Sequence, residues 1–123
     1  LYSAVVLDEK SRSKLIEKFK PIIPNSWEIL IDHMTINMGE IDPELAKYLE
    51  LPVRLWVNDI AADDKVIAVG VSGFESHNTK PHITIAVNRQ NGGKPMMSNN
   101  LVDWKKLDKP FPVTGKVMEV KFK

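Results

Sequence analysis

The chain has 123 residues, 43% of them apolar and 27% charged, with a net charge of +1 and no cysteine. That length and composition suit one soluble domain, residues 1–123, with a modest core, and the missing cysteine excludes disulfides, zinc–thiolate sites and cysteine nucleophiles. No apolar run approaches a membrane span and LYSAVVLDEK is no signal peptide, which points to an intracellular, cytoplasmic setting. The start at Leu1 suggests a domain excised from a longer protein.

Residues 2–7 (YSAVVL) predict a short buried strand. In SRSKLIEKFKPIIP, Leu15, Ile16 and Phe19 fall at helical spacing until Pro21 stops the pattern. WEILI (27–31) and HMTIN (33–37) predict strand, one strand broken by a bulge near Asp32. Asp42-Pro43-Glu44 predicts a helix start, with an N-cap acid and proline at the first helical position, running through LAKYLE to end before Pro52. PVRLWVND and KVIAVGVSG, separated by IAADD, predict a hairpin, and PHITIAVN the next strand. After the turn-rich RQNGGKP, Ser98 is expected to cap a short helix through NNLVDWKK. PVTGKVMEVKFK then closes the chain as an edge or half-exposed strand. Many strands and few helices make the class α+β with mainly antiparallel sheet. Trp27, Trp56 and Trp104 lie in apolar runs and are expected in the core.

Charge is unevenly spread. Residues 1–75 carry eight Lys/Arg against thirteen Asp/Glu, and residues 76–123 carry nine against three. A basic second half suits a phosphate-bearing ligand, although an unevenly decorated surface has the same composition.

The chain writes His-x-Thr-Ile twice, at His33-Met34-Thr35-Ile36 and at His82-Ile83-Thr84-Ile85, using two of its three histidines. With Thr and Ile each near one residue in twenty, a match after a given His arises by chance about once in 400. Strand alternation puts His33, Thr35 and Asn37 on one face and Met34, Ile36 and Met38 on the other; His82 and Thr84 likewise stand opposite Ile83, Ile85 and Val87. Each copy anchors an apolar side and presents an imidazole beside a hydroxyl. An ordinary imidazole pKa near 6.5 lets one ring be neutral and another protonated near neutral pH. The neutral ring can take a proton from water, the protonated ring can give one to a leaving oxygen, and each threonine can donate to an oxygen gaining charge. In-line displacement at phosphorus needs that set. A metal site is the chemical rival, but it needs a third ligand, and in a regular strand Asp32 points away from the His face.

Two His-x-Thr-x motifs, one in each half of an α+β chain, resemble the two-histidine (2H) phosphoesterase superfamily, which includes RNA 2′,3′-cyclic phosphodiesterases and 2′-5′ RNA ligase-like proteins. The resemblance implies a bilobal fold, two small antiparallel sheets related by a pseudo-twofold around a central groove. It implies acid–base roles for His33 and His82, phosphate contacts for Thr35 and Thr84, and chemistry with no cofactor or metal. The implied partner is an RNA end or nucleotide, bound by a monomeric domain with no membrane association. Members of that superfamily usually place a helix before the second motif, where this chain has the loop GFESHNTK.

Within and beside that loop, Phe74 is a candidate to stack on a base and Lys80 to meet phosphate charge; His77 is expected to be an ordinary loop residue. NGGKP lacks the Walker spacing and is a turn signal. The expected activity is metal-independent hydrolysis of a 2′,3′-cyclic phosphate at RNA ends or on nucleotides. The alternatives are cleavage of 2′-5′-linked or cyclic oligonucleotides, and a non-catalytic RNA-binding module; phosphate binding alone would be better served by Arg or Lys than by paired His and Thr.

Overall fold

A computed structural model describes residues 1–122. In chain order the elements are β1 (Tyr2–Leu7), α1 (Glu9–Phe19), β2 (Glu28–Ile29), β3 (His33–Met38), β4 (Pro52–Ala62), β5 (Val66–Ser72), β6 (His82–Val87) and β7 (Lys105–Val120). Short 3₁₀ turns lie at Lys20–Ile22, Pro43–Tyr48, Arg89–Asn91 and Pro95–Asn100.

The one α-helix is built by ordinary local rules. Asp8 caps α1 by accepting from the Ser11 amide at 2.7 Å, Glu9 sits in the first turn and Lys18 in the last. Ser11, Leu15 and Phe19, four residues apart, form its buried stripe, and Pro21 turns the chain into 3₁₀ geometry.

Hydrogen bonding orders the strands β2-β6-β3-β1-β7-β4-β5, and β5 also pairs β6, so six antiparallel strands close into a barrel. This corrects the expectation of two small sheets. The reason is β7: its 16 residues pair β1 along Gly115–Val120 and β4 along Lys105–Lys116, joining what would otherwise be separate halves. Sequence patterning reached only the second part of that strand, because Pro110 and Asp108 interrupt the first. The ladder with β4 accommodates them by slipping register between Phe111 and Lys106, so Pro110, which has no N–H to give, falls in the gap.

The break expected near Asp32 occurs at Ile31, whose φ of 50° is unusual for a β-branched residue. β2 and β3 still lie along the same edge of β6, with Leu30 and Ile31 amides bonded to the Ile85 and Thr84 carbonyls. Asp42 does precede a proline-led helical segment, but it is 3₁₀ rather than α, and its carboxylate caps nothing there.

Leu15, Ile31, Met34, Ile36, Leu55, Ile83 and Ile85 are fully buried in one core. Each contributes about 1.5–3 kcal/mol of burial. The core therefore takes a residue from α1 and the apolar positions of both His-Thr motifs. Trp27 packs at its margin and Trp104 against a second, smaller cluster that includes Val87 and Leu101, whereas Trp56 is 41% exposed and is not a core residue.

Candidate active site

The two motifs share a structural defect. β3 pairs β1 with Ser3 opposite Asn37 and Ala4 opposite Thr35, which leaves Ile36 as an extra residue. β6 pairs β5 with Ile67 opposite Ala86 and Ala68 opposite Thr84, which leaves Ile85 as an extra residue. The fourth position of each motif is thus a β-bulge, a feature that bends a strand and re-aims the side chains beside it. In β3 the bulge also overturns the expected alternation. Asn37 is buried, its amide nitrogen donating to the Met38 and Glu40 carbonyls, and Met38, expected in the core, is 68% exposed.

The strands carrying the motifs meet at one residue pair, Met34 with Ile83, the second positions of the two copies. Before that point Ile31 bonds the Thr84 carbonyl, so the chain passes through Asp32 and His33 while β6 advances by a single step from Thr84 to Ile83. That stretch bows out of the ladder. It carries Asp32 and His33 into the wall of a cavity of about 740 Å³, which is also lined by Thr35, His82 and Thr84. Asp32, expected to point away in a regular strand, lines the same groove.

Burial acts on both imidazoles. His33 is held below the usual histidine pKa chiefly by desolvation, opposed by the Asp32 carboxylate and reinforced by the charge of His82. His82, 8% exposed, is also lowered by desolvation, partly offset by its backbone hydrogen bond. In that bond Nδ1–H donates to the Lys80 carbonyl at 2.7 Å, which fixes the tautomer and leaves Nε2 bare in the neutral ring. The Tyr2 ring lies 5.0 Å from the His33 ring, centroid to centroid, and Phe122 lies 5.3 Å from Tyr2. Thr84 Oγ1 sits 2.8 Å from Ser98 Oγ. Two imidazoles of low basicity and two hydroxyls on one groove can exchange protons with a bound ester and donate to its oxygens.

Two of the six candidate residues lie elsewhere. The Lys80 ammonium bonds Asp59 at 2.5 Å and sits over Trp104, 5.0 Å from the ring centroid. Phe74 packs against the core with its ring edge-on to Tyr48. Among the described residues, the groove wall carries no lysine or arginine. His77, expected to be an ordinary loop residue, does line it, with Nε2 donating to Asp42 at 2.7 Å. Its loop is tied to the first motif by Ser76 Oγ donating to the Thr35 carbonyl and the His77 amide to that of Ile36.

Sequence reasoning missed the aromatic and apolar rim formed by Tyr2, Phe122, Met38 and Met96. For Tyr2 and Phe122 the available signal is their place at the start of β1 and just past the end of β7, which pair; for Met38 and Met96 there is none. Among the described residues, no helix is long and apolar enough to cross a membrane.

The family profile described as fungal tRNA ligase phosphodiesterase domain matches residues 17–123, from within α1 through the whole of both motifs. No curated protein and no solved structure matches the chain.

Proposed function

We propose a reaction for this chain, which belongs to the fungal tRNA ligase phosphodiesterase domain family, a family of two-histidine phosphoesterases: its groove opens a 2′,3′-cyclic phosphate at a tRNA end to a monoester. Water attacks phosphorus in line with one ribose oxygen. The neutral imidazole of the His33–His82 pair takes the proton from water, the P–O bond to that ribose oxygen breaks, and the protonated imidazole gives its proton to the departing oxygen. Thr35 and Thr84 donate to the non-bridging oxygens, where charge accumulates. Bound phosphate sits between two rings whose basicity burial has lowered, and its negative charge favours protonating one of them. Phe122 and Tyr2 offer faces for the terminal base. No metal takes part in the step.

One observation carries this reading: both histidines and both threonines of the repeated motif line one groove, although 49 residues separate the copies (82 − 33). The test is turnover of an oligoribonucleotide ending in 2′,3′-cyclic phosphate. His33→Ala and His82→Ala should each lose about 10²–10⁴-fold while still binding the oligonucleotide. The double variant should fall little further, since groups acting in one step are not additive. Near-full activity in either single variant refutes the pairing.

A further inference from the structure

We infer that Ser98 is a positioning residue that sets which way the Thr84 hydroxyl donates; the inference rests on the proposed contact between Thr84 and the phosphate. Ser98, expected from the sequence to cap a helix, lies inside the Pro95–Asn100 turn, 2% exposed. Its hydroxyl caps nothing. Among the described residues, the one hydrogen-bond partner of Ser98 Oγ is Thr84 Oγ1, at 2.8 Å.

Two hydroxyls share that bond, and each has one proton to give. If Thr84 donates to Ser98, the Ser98 proton is left without an acceptor in a buried place, and Thr84 has nothing to offer the groove. If Ser98 donates to Thr84, both protons are used: Ser98 satisfies its own, and the Thr84 O–H is free to point into the groove it lines. An anionic oxygen arriving there selects the second arrangement. Ser98→Thr84→phosphate oxygen then forms a chain in which each bond polarises the next. The first motif is built differently: among the described residues, Thr35 Oγ1 has no side-chain partner, and its loop contact is made by the backbone carbonyl. The two threonines are therefore not equivalent donors. The Thr84 oxygen is held by Ser98 before substrate arrives, and among the described residues Thr35 Oγ1 has no such side-chain hold.

The segment bearing Ser98 supports this role. Pro95, Met96 and Asn99 from the same turn line the groove, so the turn packs across the second motif and holds Ser98 behind Thr84. The hydroxyl pair spans 14 residues of sequence, linking the motif strand to the element that follows it.

The experiment is a double-mutant cycle on an oligoribonucleotide ending in 2′,3′-cyclic phosphate, with kcat, KM and the thermal midpoint measured for each protein. Ser98→Ala should lower kcat about 3- to 10-fold, the range of one neutral hydrogen bond, with KM within about twofold. In the Thr84→Ala background the same change should leave kcat unaltered, because there is no hydroxyl left to orient. Ser98→Cys, nearly isosteric with a weaker donor, should fall between wild type and Ser98→Ala, and it keeps the test alive if the alanine variant folds poorly. A merely structural serine would lower kcat by the same factor in both backgrounds, in step with the midpoint, and that result overturns the inference. So does an unchanged kcat in Ser98→Ala while Thr84→Ala is impaired. If Thr84→Ala itself keeps wild-type turnover, the phosphate contact proposed for Thr84 fails, and the role of Ser98 fails with it.

Discussion

Lys80→Met distinguishes two uses of one ammonium group. As a phosphate contact, Lys80 would leave folding untouched and its loss would raise KM. As the partner of Asp59, it holds a carboxylate whose side chain is 12% exposed, while its own is 42% exposed. Asp59 Oδ1 is buried with no partner among the described residues, so Lys80 carries most of the compensation for that charge. Breaking a fully buried pair costs about 3–5 kcal/mol, and an exposed pair about 0–1. With the lysine head partly in water, screening brings the expected loss to about 2 kcal/mol. For a chain of this length that lowers Tm by about 6–10 °C. Gly70 marks the tightness of the arrangement: a side chain there would collide with the Asp59 carboxylate and the Lys80 stem. Thermal unfolding of Lys80→Met should show the drop, with KM for the cyclic-phosphate oligonucleotide within about twofold. Asp59→Asn combined with Lys80→Met should recover most of it, because removing both charges leaves none stranded. A tenfold rise in KM with Tm unchanged would refute this assignment and return Lys80 to the phosphate.

Other consequences can be measured directly. Asp32→Asn removes the charge that supports protonated His33, so the His33 limb of the pH–rate profile should move to lower pH; an unmoved limb would detach Asp32 from the chemistry. His33 and His82 are held below the ordinary histidine pKa of about 6.5 in the folded chain, so the unfolded chain binds more protons in that window. Stability should be full above about pH 6.5 and fall as pH drops below it, and His33→Gln should flatten that fall in a Tm-against-pH series. Thr35→Ala should reduce turnover by at most about 10²–10³-fold, as loss of one oxyanion donor would. Activity should survive EDTA; loss in chelator restored by zinc or manganese would require a metal-assisted step.

Much of the groove was legible because its logic is local. A residue two places from a histidine shares its face in any strand, and a repeat of that spacing needs no tertiary information to be noticed. What alternation could not give was the bulge at Ile36 and Ile85, since an extra residue is defined only by the strand opposite. Hence Met38 was expected in the core and Asp32 outside the groove, and both were misplaced by irregularities in pairing. Lys80 shows a different limit: proximity in sequence to His82 said nothing about Asp59, 21 residues away, which holds its ammonium. The barrel itself was hidden because closure depends on β7 running through Pro110, a residue that argues against strand wherever only local propensity is consulted.

The place of β7 between β1 and β4 also governs the order in which the molecule can assemble. Tyr2 pairs with Val120, almost the full length of the chain away, so β1 waits for the last strand before its second edge is filled. Loop-closure entropy makes such distant pairings late and slow to form. Until β7 docks, β1 and β3 form one ladder and β4, β5 and β6 another, joined along one edge of β6 by the short β2 pairing, the Leu30 and Ile31 amides and the pair Met34–Ile83. The barrel closes only when β7 fills the gap between β1 and β4. Cutting the chain before β7 should leave both motifs intact in sequence and the groove between them without a fixed width, so catalysis should require β7 although β7 carries neither motif.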